Sequence, residues 1–99
     1  PSDLALKELK PVVVNLAAPS STFIRIEVSI VFKAGALVNP DVTAAELRED
    51  IMAYMRTLSL SQLEGPSALQ HLREDLNERA HARSDGKIAE LILGTLVIQ

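Results

Sequence analysis

The sequence contains no cysteine and no tryptophan, and its 99 residues include only three aromatic side chains, Phe23, Phe32 and Tyr54. Without cysteine, the chain forms neither disulfides nor thiolate metal sites, and it offers no catalytic thiol. So few aromatic rings exclude a base-stacking platform for single-stranded nucleic acid. Ten basic residues stand against thirteen acidic ones, so we expect no general attraction to nucleic acid or to anionic lipid.

Long apolar runs are also missing. The longest candidates, residues 12–14 and 88–98, are shorter than the ~18–20 residues that cross a bilayer as a helix. No signal peptide opens the sequence, which starts at Pro1 rather than Met, and we expect it to be a processed or truncated piece of a longer protein. Apolar residues make up 47 % of the chain, which predicts one domain with one core.

Alternation of apolar and polar residues predicts the strands. The clearest case is residues 22–34, where a period of two indicates a half-buried strand. Residues 11–17 are β-branched and predict a strand before it, and the turn-forming residues 18–21 make the two an expected antiparallel hairpin. Residues 88–98 are apolar on both alternations, which predicts a strand buried on both faces or placed in an interface. One alternation holds Leu91, Leu93 and Val97, and the other holds Ile92, Leu96 and Ile98.

Apolar residues at helical spacing predict two amphipathic helices. Asp41 or Thr43 is the expected N-cap of the first, and residues 67–70 fit a capping box for the second. Residues 3–9 predict a short N-terminal helix that Pro11 ends. The apolar stripes are Leu47, Ile51, Tyr54, Met55 and Leu58 in the first helix, and Leu69, Leu72, Leu76 and Ala80 in the second.

These elements predict an α/β (α+β) two-layer sandwich. A three-stranded sheet, made of the hairpin and the C-terminal strand, is covered by the two amphipathic helices. The connection before the last strand is long enough for a crossover, so parallel and antiparallel placements both stay open. We expect a core in which two sets of helical residues pack against the central strand at Ile26, Val28 and Ile30. These are Leu47, Ile51, Met55 and Leu58 of the first set, and Leu69, Leu72 and Leu76 of the second.

The sequence offers no catalytic constellation, and we predict no catalytic, cofactor-binding or metal-binding residue. His71 and His81 are ten residues apart, whereas two ligands on one helical face are three or four apart. The carboxylate pairs at positions 49–50 and 74–75 are adjacent in sequence, and neighbouring helical side chains point apart. The glycines are isolated and form no phosphate-binding loop. An enzyme would require a concave pocket with converging polar groups.

Outward helical charges are the candidate contacts for a partner protein. We single out Arg48, Glu49, Arg56 and Arg73, although nothing in the sequence selects among them. Acidic residues alternate with basic ones along both helices, which favours an ion-paired surface over a basic seam. The partner-binding residues are therefore unknown at this level.

An ordered set of motifs resembles the periplasmic domain of the FliL family, the flagellar basal body-associated proteins. It covers about nine tenths of the chain, in the family's order of elements. The matching segments are Pro11-Val-Val-Val-Asn-Leu16, Phe23-Ile-Arg-Ile-Glu-Val-Ser-Ile-Val-Phe32, Glu46-Leu-Arg-Glu-Asp-Ile51, Ser59-Leu-Ser-Gln-Leu-Glu-Gly-Pro66, the Leu-rich stretch from Leu69 to Asn77, and Leu96-Val-Ile-Gln99. The chain departs from the family at Leu93-Gly-Thr-Leu96, where an aromatic-Thr-aromatic run is usual, and at residues 79–83, which replace a more apolar helix end.

The resemblance implies a topology and a role. Residues 1–10 would form a helix or linker to a missing transmembrane helix, and residues 11–99 the periplasmic domain of a single-pass inner-membrane protein. The family is similar in fold to stomatin-like (SPFH) domains, which assemble into rings. The implied partners are other copies of the chain and the MotA/MotB stator units, whose torque and motility the protein would support, with no enzymatic activity, cofactor or nucleic acid. The alternative is a stomatin-like membrane scaffold unrelated to flagella.

Overall fold

The computed structural model describes residues 3–99, which form an α+β domain with one four-stranded antiparallel sheet and two helices on one of its faces. A 3₁₀ turn, Leu60–Leu63, lies between the helices. The elements are β1 Leu4–Glu8, β2 Val12–Asn15, β3 Phe23–Lys33, α1 Pro40–Met55, α2 Ala68–Arg83 and β4 Ile88–Ile98.

Strand β3 is the centre of the sheet. Its eleven residues alternate between buried and more exposed positions, as the period of two predicts. One edge pairs with β4 along most of its length, and the other edge pairs first with β2 and then with β1. The expected β2–β3 hairpin is therefore confirmed, and β4 is antiparallel to β3.

Strand β1 replaces the short N-terminal helix that we expected, and that prediction is wrong. Strand β2 is too short to pair beyond Ile26 of β3, so the backbone of β3 from Ser29 onwards needs a second partner on that edge. Strand β1 supplies it, with Leu4 opposite Lys33 and Glu8 opposite Ser29. The sheet consequently has four strands rather than three. Pro1 and Ser2, the first residues of the expected 1–10 segment, lie outside the described residues.

Two bulges change which residues of β4 share a face. The pairing shifts between Glu27 and Val28 and again between Val31 and Phe32, which leaves Gly94 and Ala89 without an opposite residue. As a result, Leu91, Leu93, Leu96 and Ile98 all lie opposite helix-facing residues of β3. The expected alternation, with Leu96 and Ile98 on the other face from Leu91, is wrong because a bulge inserts one residue into the period of two.

The core lies between the sheet and the helices. The predicted partners in β3 and α1 are buried, as are Leu72 and Leu76 of α2. Leu69 is the exception, with 43 % of its surface exposed, because Ala68 occupies the inward position of the first turn of α2.

Helix α1 begins before the predicted caps, since Pro40 fits its first turn and the Asn39 side chain accepts a hydrogen bond from the Val42 N–H at 3.3 Å.

Helix α2 is joined to the outer edge of β4 by one side-chain amide. Asn77 Nδ2 donates to the carbonyl oxygen of Leu91 at 3.0 Å, and the Leu91 N–H donates to Asn77 Oδ1 at 2.8 Å. The amide thus pairs with the strand as a neighbouring backbone would. The same Nδ2 donates to the carbonyl oxygen of Arg73 at 2.9 Å, which holds the side chain in place.

Candidate interaction surface

The side of the sheet turned away from the helices, called here the open face, carries a concentration of exposed apolar side chains. Its membership follows from the register, because residues directly opposite one another on neighbouring strands share a face. Large apolar residues on it are between 40 % and 63 % exposed. They are Leu4 and Leu6 of β1, Val13 of β2, Phe23 of β3, and Ile92 and Val97 of β4.

The apolar residues of the open face come mainly from the flanking strands. Val13 of β2 and Val97 of β4 both lie directly opposite Arg25 of β3, so this arginine has a valine on each side. Leu6 and Glu90 lie on either side of Val31. Of the two alternatives for β4, burial on both faces is wrong, since Ile92 and Val97 are each 40 % exposed, and placement in an interface stays a prediction.

Charges of both signs are interspersed with these apolar groups. The Arg25 guanidinium lies 3.4 Å from the Glu27 carboxylate on the same strand. Lys33 belongs to the open face at one end of β3, and Glu8 and Glu90 belong to it from the neighbouring strands. With three acids against two bases, this face does not resemble a surface for phosphates or anionic lipid.

On the helical side, Tyr54 links α1 to α2. Its hydroxyl donates to the Asp75 carboxylate at 2.5 Å, and the Arg79 guanidinium lies 3.7 Å from the centre of the tyrosine ring. Burial, together with the adjacent Asp75 carboxylate, raises the pKa of Tyr54 to about 12 against the lowering effect of Arg79. The phenol of Tyr54 therefore keeps its proton more strongly than a free tyrosine, and it remains a hydrogen-bond donor between the two helices.

A second link joins the end of α2 to the middle of α1. Arg83 donates through two nitrogens to the two carboxylate oxygens of Asp50, at 2.7 and 2.8 Å, and lies 3.8 Å from Glu46. The hydrogen bond and charge of Asp50 raise the pKa of Arg83. Between these links is an open groove of about 700 Å³, lined by both helices. Two of its ionic groups, Asp50 and Arg83, bind one another across the helix pair and act as a structural connection.

The four candidate contact residues have different environments and the structure does not bring them together in one site. Arg48 is committed to the fold, because its guanidinium donates to the carbonyl oxygens of Lys10 and Pro11, with one bond of 2.7 Å. Glu49 is exposed on α1, and Arg56 is exposed directly after the end of α1. Arg73 is exposed on α2, beside a groove that runs along β4.

The sequence interpretation anticipated only the β4 part of the open face, as a strand that is buried on both faces or placed in an interface. Helical charges were the expected contacts, whereas the exposed apolar area belongs to the strands. The apolar residues on both alternations of β4 were the sequence feature that pointed to this face. The part of the face that Leu4 and Leu6 form could not be found, because residues 3–9 were interpreted as a helix. Knowledge that these residues form a strand would have assigned both leucines to one face.

Residues 3–99 contain neither a cluster of metal-ligating side chains nor a helix that could span a membrane. No three His, Asp or Glu side chains in that range cluster as ligands, and neither helix there is long and apolar enough to cross a bilayer. Every buried side-chain nitrogen or oxygen in that range has a hydrogen-bond partner.

Comparison with known families identifies the fold's relatives. The family model described as flagellar basal body-associated protein FliL matches residues 6–99. The chain belongs to the FliL family. No curated protein matches it. The FliL match includes residues 6–8 of β1 and all the other strands and helices, so the open face apart from Leu4 is part of the matched region.

Proposed function

We propose that this FliL-family domain is a non-enzymatic scaffold of the flagellar basal body that self-associates around the stator units and supports motor torque and motility. The family match carries the flagellar part of the proposal. The open face supports the scaffold part, because several exposed apolar side chains gathered on one face of a small domain favour association with another protein.

The proposed topology is a single-pass inner-membrane protein with residues 11–99 in the periplasm and residues 1–10 leading to the anchor. Restriction to a membrane raises the effective concentration of neighbouring copies, so a surface of modest affinity is sufficient for assembly. Stomatin/SPFH-like rings are the proposed form of that assembly, and MotA/MotB stator units are the proposed partners.

Deletion of the gene in the bacterium that encodes this chain tests the proposal. We expect reduced swimming, and lower torque from tethered or bead-loaded motors at high load, with restoration by the wild-type gene. Unchanged swimming and torque would contradict a flagellar role and favour the alternative of a membrane scaffold unrelated to flagella. A chemotaxis readout in the same strains separates a loss of torque from a change in switching.

A further inference from the structure

A helix side chain closes part of each outer edge of the sheet. On the β4 edge, Asn77 of α2 binds the backbone N–H and C=O of Leu91. On the opposite edge, Arg48 of α1 binds the carbonyl oxygen of Pro11, directly before β2. By the register, both closures lie near the middle of β3. Each edge therefore has a second section, nearer to the start of β3, that these two side chains do not close.

The open section of the β4 edge follows Leu91. Neighbouring residues of an antiparallel strand direct their N–H and C=O groups alternately to its two sides. Gln99 and Phe23 exchange two backbone bonds, of 2.8 and 2.9 Å, so Leu96 and Ile98 direct theirs outward. Nothing within residues 3–99 binds these outward groups. Residues 91–98 also contain no charged side chain, whereas natural edge strands that must stay unpaired commonly carry charges.

The open section of the opposite edge lies on β2. The Leu16 N–H donates to the carbonyl oxygen of Thr22 at 2.9 Å, so the alternate residues Val13 and Asn15 direct their backbone groups outward. In the part of the chain that the structure describes, these groups have no partner. The section ends after Asn15, where the chain pairs with residues 58–60. It therefore offers a short row of backbone donors and acceptors.

The two open sections fit each other in a parallel pairing. Strands β2 and β4 run in the same direction, since both are antiparallel to β3, and Val13 and Val97 lie opposite the same residue, Arg25. We consider β2 of one copy placed beside β4 of the next at equal height. The Val13 N–H then meets the carbonyl oxygen of Leu96, and the Val13 carbonyl oxygen meets the N–H of Ile98. The side chains of Val13 and Val97 become neighbours on one face.

Apolar helix residues flank both open sections. Leu69, Arg73 and Asn77 are spaced by four residues and share one side of α2, the side on which Asn77 binds the β4 edge. Leu69 of this row is 43 % exposed. On α1, the Met52 sulfur lies 3.3 Å from Arg48, which binds the chain before β2, so Met52 is beside the other edge. Joining the edges would bring Met52 of one copy toward Leu69 of the next.

We propose that copies of this chain join edge to edge, with β2 of one copy added in parallel to the outer edge of β4 of the next and Val13 beside Val97. This inference rests on the self-association in the proposed function and identifies the surface that carries it. The contact joins two different edges, so every copy keeps one edge of each kind for a further copy. Because the strands meet at equal height, the assembly does not advance along the strands and closes into a ring instead of a filament.

The helices determine how such a wall of strands curves. Paired strands are ~4.8 Å apart, whereas the axes of packed helices are ~8–10 Å apart. Since α1 packs on β2 and α2 packs on β4, a flat wall would press α1 of one copy against α2 of the next. Neighbouring copies must therefore rotate about an axis along the strands, with the helices on the outer side. That rotation leaves β1 of every copy starting at the same end, as anchoring in one bilayer requires.

Cysteine cross-linking of the full-length protein in membranes tests the pairing, because the 99 residues contain no cysteine. Val13 and Val97 of one copy are two strand spacings apart, ~10 Å, too far for a disulfide within the copy. We expect the double variant Val13→Cys/Val97→Cys to give a ladder of disulfide-linked oligomers on oxidation. The control Val42→Cys/Val97→Cys carries one cysteine on an exposed helical position instead, and should give no ladder.

The single variants distinguish the possible arrangements. Neither Val13→Cys nor Val97→Cys alone should cross-link above the level of Val42→Cys. Dimers from Val97→Cys alone would indicate that two β4 edges meet about a two-fold axis and would overturn the proposal. If the double variant gave no ladder while an amine-reactive cross-linker still joined wild-type copies, these edges would be rejected and self-association would stand. A wild-type protein that stays monomeric in the membrane would reject the proposed scaffold itself.

A charge placed on the β2 edge gives an independent test. Val13 and Val42 are 46 % and 49 % exposed, so Val13→Glu and Val42→Glu are matched substitutions that both leave the core intact. A charged side chain on an edge opposes the addition of a strand, and the carboxylate would replace the contact with Val97. We expect Val13→Glu to weaken association of the full-length protein about fivefold and Val42→Glu to leave it unchanged. Equal association of the two variants would contradict the pairing.

Discussion

Asn77 of α2 binds the backbone of Leu91 in β4 through both its amide nitrogen and its amide oxygen, at 3.0 and 2.8 Å. The sheet ends at this position not with another strand but with a helix side chain that supplies the same donor and acceptor. The contact fixes how α2 lies along β4, and thus which residues of β4 are turned to the core and which to the open face.

Loss of that amide should loosen the edge of the sheet. We expect Asn77→Ala to reduce the free energy of unfolding by about 1–3 kcal/mol, because two partly buried backbone groups lose their partner. Urea denaturation measures the change, and hydrogen exchange at the Leu91 amide should accelerate. Gln70→Ala removes another α2 amide, which binds only the exposed Glu74 carboxylate, and should change stability by less than about 0.5 kcal/mol. Equal effects of the two variants would show that the Asn77 contact does not hold the edge.

Val28 tests the position of the core. It is 3 % exposed on the helix-facing side of β3, so Val28→Asp should unfold the domain by burying an unpaired carboxylate. Circular dichroism during thermal melting should show no cooperative transition. Val13→Asp places the same group on the open face beside Arg25 and should melt cooperatively near the wild-type midpoint. A cooperative Val28→Asp transition with an unchanged midpoint would contradict the described orientation of β3.

Tyr54 predicts a specific alkaline transition. The pKa of the phenol is about 12 in the folded chain against 10.0 as its ordinary value, so the folded state retains the proton more strongly than the unfolded state. The stabilisation is complete below pH 10 and decreases as the pH rises toward 12. Absorbance at the phenolate band follows this residue alone, because the chain has one tyrosine and no tryptophan. A midpoint near 10 in the folded protein would refute the burial of the phenol together with its Asp75 contact, and Tyr54→Phe should abolish the signal.

Arg48 distinguishes a structural residue from a contact residue. Its guanidinium binds two backbone carbonyls that precede β2, and lysine cannot reproduce that branched geometry. We expect Arg48→Lys to cost about 1–2 kcal/mol of stability, measured by urea denaturation. Glu49→Gln, at the neighbouring exposed position, should stay within about 0.5 kcal/mol of wild type. If Arg48→Lys were equally neutral, Arg48 would return to the set of candidate partner contacts.

The elements that the sequence predicts well are those whose pattern is local. Strand β3 and the inward stripe of α1 follow from their own periodicity, and both are buried where expected. Strand β1 could not be assigned in this way, since five residues next to Pro11 become a strand only because the second half of β3 needs a partner. Likewise, the start of α1 is set by Asn39 and Pro40, which precede the apolar stripe used to predict it.

Prediction of the open face would require two further facts that no local sequence pattern contains. The bulge at Gly94 determines the face on which Leu96 lies, and the pairing of β1 determines where Leu4 and Leu6 lie. Both depend on register with β3, which is a tertiary property. The expectation of an interface at β4 thus stays a prediction, now attached to specific residues.

The number of stator units per motor is the measurement that tests the whole account most directly. Fluorescently labelled stator units would be counted at high load in cells that produce the wild-type protein, Val13→Glu or Val42→Glu at matched levels. The account predicts that wild-type and Val42→Glu motors hold the same number and that Val13→Glu motors hold fewer, with a parallel loss of torque. Equal numbers in all three strains, and in a strain that lacks the gene, would contradict it.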